Sequence, residues 1–120
     1  CDVGVSYFLP RRVGASVAAE LLLTGRFLTA PRALALGLVS GVDALPALEA
    51  EAQALAAEML RATPVGLRLT KDALSFSIDA PSLESAIAME DRNQVLCTQG
   101  EDFSEGIAAF LEKRVPRYGP

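Results

Sequence analysis

The side chains of this protein that could carry out acid–base chemistry near neutral pH are its carboxylates. The 120 residues include 15 Asp and Glu but no histidine. Imidazole general bases, Ser-His-Asp and Cys-His nucleophile systems, and histidine-ligated metal sites are therefore excluded. We predict that no metal is bound and that any proton transfer uses Asp or Glu.

Phe110 and Lys113 have a spacing that could serve binding chemistry. Residues three apart share a face of a helix, so the ring and the ammonium could be presented together to an adenine and its neighbouring phosphates. A structural alternative stays open. Phe103, Ile107 and Phe110 fit a core stripe, while Lys113 and Arg114 could complement the negative end of a helix. Both interpretations can hold at once.

The overall charge argues against nucleic acid as a partner. Eleven Lys and Arg against 15 Asp and Glu give a net charge of -4, whereas binding a phosphate backbone favours a basic surface. The longest apolar run contains a Glu and is far shorter than the ~20 residues that a bilayer span needs. We predict no membrane segment, no signal peptide and a cytoplasmic location. Cys1 and Cys97 are predicted to stay reduced.

Glycine, proline and N-cap signals divide the chain into helices. Gly25 is predicted to end one helix, and Thr63 and Ser82 are predicted to cap the helices that follow them. Leu38–Val42 is the one segment that favours a brief strand. We therefore expect a mainly α fold with at most one or two very short strands and no internal division. After a short first segment that closes near Gly14, the predicted helices are 15–24, 30–36, 43–62, 65–78, 83–99 and 101–114.

Two features inside these helices do not suit an ordinary apolar core. Residues 90–94 are Glu-Asp-Arg-Asn-Gln, so the second half of their helix is predicted to face solvent, a neighbouring subunit or a polar ligand. Gly106 lies within the last helix, where glycine costs ~1 kcal/mol relative to Ala. Its presence predicts a helix or a ligand in close contact with the backbone there.

An ordered series of short motifs resembles the C-terminal half of the enoyl-CoA hydratase/isomerase, or crotonase, family. Each motif alone is weak, whereas their order and spacing along essentially the whole chain are specific. The motifs are Asp2-Val3-Gly4, Leu9-Pro10-Arg11-x-Val13-Gly14, Leu23-Thr24-Gly25-Arg26, Ala30-x-x-Ala33-x-x-x-Gly37-Leu38-Val39, Pro64 with Thr70-Lys71, and Glu101-Asp102-x-x-Glu105-Gly106-x-x-Ala109-Phe110-Leu111-Glu112-Lys113-Arg114.

The resemblance implies a crotonase-like α/β fold of the ClpP/crotonase type. Residues 1–120 would be its C-terminal helical, oligomer-forming region, without the N-terminal ββα spiral core. It also implies an acyl-CoA thioester enzyme in which two backbone N–H groups hold the thioester oxygen as an enolate forms. Those donors, and the two Glu residues that activate water in hydratases, are expected upstream of Cys1.

The expected function is therefore that of an enoyl-CoA hydratase, a lyase that hydrates trans-2-enoyl-CoA thioesters in fatty-acid or related acyl-CoA metabolism. Coenzyme A would be part of the substrate, and no other cofactor is expected. The predicted assembly is a homo-oligomer, a trimer or a dimer of trimers. Two alternatives remain: an enoyl- or dienoyl-CoA isomerase, or a helical assembly module without turnover.

The resemblance assigns roles to three residues. Asp2 matches the position where the dienoyl-CoA isomerase branch carries an acid beside the acyl chain, which implies a catalytic carboxylate. The structural alternative is that Asp2 caps the following helix through the N–H groups of Gly4 or Val5. Phe110 and Lys113 match the Phe and Lys that reach the CoA nucleotide in the family, commonly across a subunit boundary.

Overall fold

The computed structural model describes residues 1–119, and within that range the chain is helical with no strand. This confirms the predicted mainly α composition. Most of the predicted helix ends lie within one or two residues of those observed. The helices are α1 (Val5–Val13), α2 (Ala15–Thr24), α3 (Ala30–Ala35), α4 (Leu45–Met59), α5 (Pro64–Ser77), α6 (Leu83–Thr98) and α7 (Glu101–Glu112).

Local signals set several helix ends, as predicted. Gly25 ends α2 in the left-handed conformation with φ 63°, which glycine adopts at little cost. Thr63 caps α5 because its hydroxyl accepts a hydrogen bond from the Gly66 N–H at 3.0 Å. Ser82 caps α6 in a capping box with Ser85, which satisfies two backbone N–H groups that otherwise lack partners.

The brief strand predicted over Leu38–Val42 is wrong. Leu36 ends α3, and residues 37–42 form a turn, bends and irregular chain. A strand is stabilised by a ladder with a neighbouring strand, and residues 1–119 contain no other strand to pair with it. Val39 and Val42, which favoured a strand, are both exposed.

Two compact units make up the chain, one of residues 1–51 and the other from Ala52 onward. In the first unit α1 packs against α2, and Ala18 is buried. Glu20 of α2 accepts two hydrogen bonds from Arg32 of α3, at 3.1 and 2.7 Å, and one from Arg26 at 2.9 Å. The hydrogen bonds from Arg32 are the main reason that the pKa of Glu20 lies below its usual value. Through these bonds Glu20 holds both α3 and the segment that connects α2 to α3 against α2.

In the second unit α6 packs against both α5 and α7. Asn93, in the polar stretch of α6, is 8% exposed and donates from Nδ2 to the Leu69 carbonyl of α5 at 3.4 Å. Asn93 is therefore an exception to the prediction that this half of the helix faces solvent, a neighbouring subunit or a polar ligand. Asn93 is accommodated in the interior because its amide has a backbone acceptor, while its four polar neighbours stay exposed.

Only small side chains are buried among the apolar residues of the described chain. They are Ala18, Ala33 and Ala109. Large apolar side chains remain exposed in both units, including Leu23 of α2 and Leu74 of α5. Contacts within the first unit thus cover only part of α2. No helix among residues 1–119 is both long enough and apolar enough to cross a bilayer.

Candidate nucleotide-binding site at the end of the last helix

The last helix ends earlier than predicted. It stops at Glu112, and Lys113 follows in the left-handed conformation with φ 56° and ψ 38°. The predicted helix through Arg114, with basic residues in its last turn, is therefore wrong. A non-glycine residue in this conformation costs about 1–2 kcal/mol, so its surroundings must favour the reversal of the chain at Lys113.

Arg114 supplies those favourable contacts. Its guanidinium donates to both carboxylate oxygens of Glu105, at 2.6 and 2.8 Å, and to Glu112 at 2.5 Å. Its backbone N–H donates to the Ala109 carbonyl at 3.0 Å. The bidentate pair of Arg114 with Glu105 is geometrically specific. It therefore holds the chain after Glu112 in a reversed direction, back along α7.

Residues 115–119, which we term the C-terminal strap, continue in that direction. The Arg117 N–H donates to Glu105 Oε1 at 2.7 Å, and the Gly119 N–H donates to Asp102 Oδ1 at 3.0 Å. As the strap advances from 117 to 119, its partners step back along α7 from 105 to 102. The strap therefore runs antiparallel to the helix.

The pKa of Glu105 reports this arrangement. The hydrogen bonds from Arg114, followed by the N–H of Arg117, lower the pKa of Glu105 from 4.5 to about 2. The same contacts, first with Glu105 and then with Glu112, raise the pKa of Arg114. The Glu105 side chain is 25% exposed and that of Arg114 is 39% exposed, so solvent screens part of the attraction between them.

We expect the strap to loosen in acid. Because the pKa of Glu105 is lower in the folded state, its stabilising effect is complete above the ordinary value of 4.5 and is lost as the pH falls toward about 2. The difference in unfolding midpoint between wild type and Glu105→Gln should shrink over that interval. Thermal unfolding at a series of pH values measures it, and a difference that does not change with pH contradicts the assignment.

Phe110 lies on the last turn of α7 and is 82% exposed. Phe103 and Ile107, its partners in the predicted core stripe, are also exposed within this unit. Phe103, Ile107 and Phe110 nevertheless line one open groove together with Gly106, Leu111 and Tyr118. The apolar stripe therefore forms a continuous surface, and both interpretations of it stay open.

Lys113 directly follows α7, and its N–H donates to the Phe110 carbonyl at 3.3 Å. Within residues 1–119 its ammonium is not in an ion pair, whereas the next residue, Arg114, binds the carboxylates of both Glu105 and Glu112. Because Lys113 lies beyond α7, it does not share a helix face with Phe110 as predicted. An exposed ring and an ammonium without an ion pair nevertheless both lie at the end of α7. This arrangement suits a flat aromatic base with an attached anion.

Asp2 belongs to the first unit and is exposed. The N-cap of α1 is Gly4, with φ 89°, and no side chain caps this helix. The capping alternative for Asp2 is therefore wrong, although its backbone carbonyl accepts from the Val5 N–H at 3.0 Å. Its catalytic role stays a prediction, as do the roles of Phe110 and Lys113.

A close neighbour is present at Gly106, but it is not the helix or the ligand that had been predicted; it is the side chain of Tyr118 of the strap. A Cβ at Gly106 would lie 3.3 Å from the Tyr118 hydroxyl oxygen and 3.8 Å from its Cε1. Sequence reasoning missed Tyr118. The available signal was a glycine inside a helix followed, shortly after the helix ends, by an aromatic residue.

Comparison with known proteins agrees with the motif series. The sequence pattern of the enoyl-CoA hydratase/isomerase family matches residues 1–120. The chain belongs to this family. The resemblance stated from the motifs is thereby confirmed.

Individual relatives support the same family. The 2,3-dehydroadipyl-CoA hydratase of Escherichia coli is 38% identical over 110 residues, covering 92% of this chain and 43% of that protein. The mitochondrial enoyl-CoA hydratase domain-containing protein 2 of Bos taurus is 40% identical over 114 residues, covering 92% of this chain and 38% of that protein.

Solved structures confirm the fold assignment. The crystal structure of an enoyl-CoA hydratase from Bacillus anthracis superposes with a TM-score of 0.87 at 36% identity, over 96% of this chain and 44% of that one. An enoyl-CoA hydratase from Polaromonas sp. JS666 superposes with a TM-score of 0.85 at 32% identity, over 98% and 46%. The chain thus spans less than half the length of these family members and corresponds to a helical portion of the crotonase fold.

Proposed function

We propose that this chain forms the C-terminal helical part of an enoyl-CoA hydratase-like enzyme. In that reaction water adds across the trans-2 double bond of an enoyl thioester, the hydroxyl to C3 and a proton to C2. The family match over residues 1–120 and the hydratase names of its relatives support the proposal. The chain would contribute part of the CoA pocket and contacts between subunits.

The observation that carries the proposal is the uncovered pair at the end of α7. Phe110 offers a ring that is 82% exposed, and Lys113 offers an ammonium without a carboxylate partner in the described chain. Adenine stacks on an aromatic ring, and phosphates attract an ammonium. CoA carries both groups at the end remote from its thioester, so the pair is suited to hold the nucleotide while the chemistry occurs elsewhere.

Exposed apolar side chains support the assembly part of the proposal. Leu23, Leu74 and Ile78 are exposed within their own units, and large apolar areas left in water mark interaction surfaces. A homo-oligomer, expected as a trimer or a dimer of trimers, would cover them. Sedimentation at micromolar concentration tests this, and a monomer of the complete protein contradicts it.

An isomerase remains the second candidate reaction because Asp2 is exposed and its side chain does not cap α1. A carboxylate so placed is available to move a proton at an allylic carbon. The family description covers both reactions.

Assays with the complete protein and with residues 1–120 alone test the proposal. The complete protein is expected to hydrate crotonyl-CoA, whereas residues 1–120 alone are expected to be inactive, because the oxyanion hole and the Glu pair are assigned to the rest of the family's length. Conversion of a 3-enoyl-CoA without hydration would favour the isomerase, and activity of residues 1–120 alone would contradict the proposed division of labour.

A further inference from the structure

The C-terminal strap has one side chain that points back to the groove of Phe110. Backbone N–H groups on either side of Tyr118, those of Arg117 and Gly119, donate to Glu105 and Asp102 at 2.7 and 3.0 Å. Tyr118 is thereby fixed between two attachments to α7. It is only partly exposed, unlike Arg117 and Gly119.

Gly106 permits this position. Asp102, Glu105 and Gly106 lie on one face of α7 at helical spacing, with the two carboxylates holding the strap and the glycine leaving room for the ring. The Tyr118 hydroxyl oxygen lies 3.3 Å from where a Cβ at 106 would be, which is a tighter approach than ordinary van der Waals contact. A larger residue at 106 would push the ring outward.

Tyr118 and Phe110 line the same groove, together with Ile107 and Leu111. We propose that Tyr118 is a second aromatic side chain of the nucleotide site and helps to set its affinity for the adenine of an acyl-CoA. This inference rests on the proposed function. It goes beyond it in assigning a binding role to the strap, which Arg114, Glu105 and Asp102 hold in place.

The charges near the groove suit a nucleotide whose adenine lies between the rings and whose phosphates lie outside the groove. Asp102 lines the groove, but its Oδ1 already accepts the Gly119 N–H. Lys113 does not line the groove; it directly follows α7, and its ammonium lacks a carboxylate partner in the described chain. An apolar peptide would gain from the rings but not from the ammonium, whereas an adenine with attached phosphates uses both.

The test measures KM and kcat of the complete protein for crotonyl-CoA and for crotonyl-pantetheine, which lacks the adenosine nucleotide. Tyr118→Ala should raise KM for crotonyl-CoA about fivefold, as expected from the loss of one aromatic contact. It should leave kcat and the KM for crotonyl-pantetheine unchanged. Tyr118→Phe keeps the ring and should behave as wild type.

Gly106→Ala provides an independent variant that keeps Tyr118. The added methyl should displace the ring and raise KM for crotonyl-CoA alone, and adding Tyr118→Phe should restore it because the hydroxyl is the nearest obstructing atom. Val115→Ala is the matched control, since Val115 belongs to the strap but does not line this groove.

Each outcome decides between the two claims. Equal effects of Tyr118→Ala on both substrates indicate a merely structural role and overturn the inference, as does the absence of any effect. If Phe110→Ala raises KM for crotonyl-CoA but not for crotonyl-pantetheine, and Tyr118→Ala does not show this difference, the inference fails and the proposed function stands. If neither variant distinguishes them, the proposed nucleotide site fails as well.

Discussion

Lys113→Ala should weaken CoA binding to the complete protein about tenfold, which is the size expected when one charge-assisted contact to a phosphate is lost. The ammonium has no carboxylate partner among residues 1–119, so its removal breaks no ion pair within the chain. Folding should therefore be nearly unchanged. Titration calorimetry with CoA measures the affinity, and thermal unfolding of the same samples measures the stability.

The left-handed conformation of Lys113 allows a sharper version of this experiment. Lys113→Gly removes the same ammonium, but glycine adopts φ 56° without the cost that other residues bear. This variant should lose CoA affinity while becoming more stable than wild type. A loss of affinity accompanied by a gain in stability would separate ligand binding from folding.

Lys71→Ala is the matched control, because Lys71 is the other lysine of the chain. It lies in α5 and is exposed, so the variant changes the net charge by the same amount. Its CoA affinity should equal that of wild type. Equal affinities of Lys113→Ala and wild type would rule out the proposed phosphate contact.

Ala109→Leu should destabilise the protein by about 1–3 kcal/mol, the usual cost of forcing a larger side chain into a packed position. Ala109 is 1% exposed and lies on α7, which packs against α6. Its carbonyl also accepts the Arg114 N–H that starts the reversal of the chain. The leucine side chain would separate the helices or displace the strap.

The control for this substitution is Ala50→Leu, at an exposed position of α4 flanked by Glu49 and Glu51. It adds the same atoms where no packed neighbour must move, so its unfolding midpoint should stay close to that of wild type. Equal midpoints for the two variants would show that the packing around Ala109 does not restrict side-chain size.

Sequence reasoning was most accurate where structure is decided locally. Thr63 and Ser82 were predicted as helix caps because each offers a hydroxyl just before a helix, and the structure shows both bonds. Gly25 was predicted to end α2 for an equally local reason. The family resemblance followed from short motifs that stand in order along the chain.

Contacts between distant residues were not predictable in the same way. The end of α7 at Glu112 depends on the bonds from Arg114 to Glu105, nine residues away. Asn93 is buried because the Leu69 carbonyl, 24 residues earlier, accepts its amide hydrogen. Periodicity describes which residues share a helix face, and it carries no information about the partner that lies opposite.

The buried alanines have a consequence for how the protein is held together. A methyl group removes little apolar surface from water, so Ala18, Ala33 and Ala109 can contribute only a small part of the free energy that ordering this chain requires. Half-buried side chains such as Leu21 and Leu22 add to this, and surfaces that cover the exposed leucines would add more. If those surfaces belong to other subunits, mass action applies, and the melting temperature should rise with protein concentration.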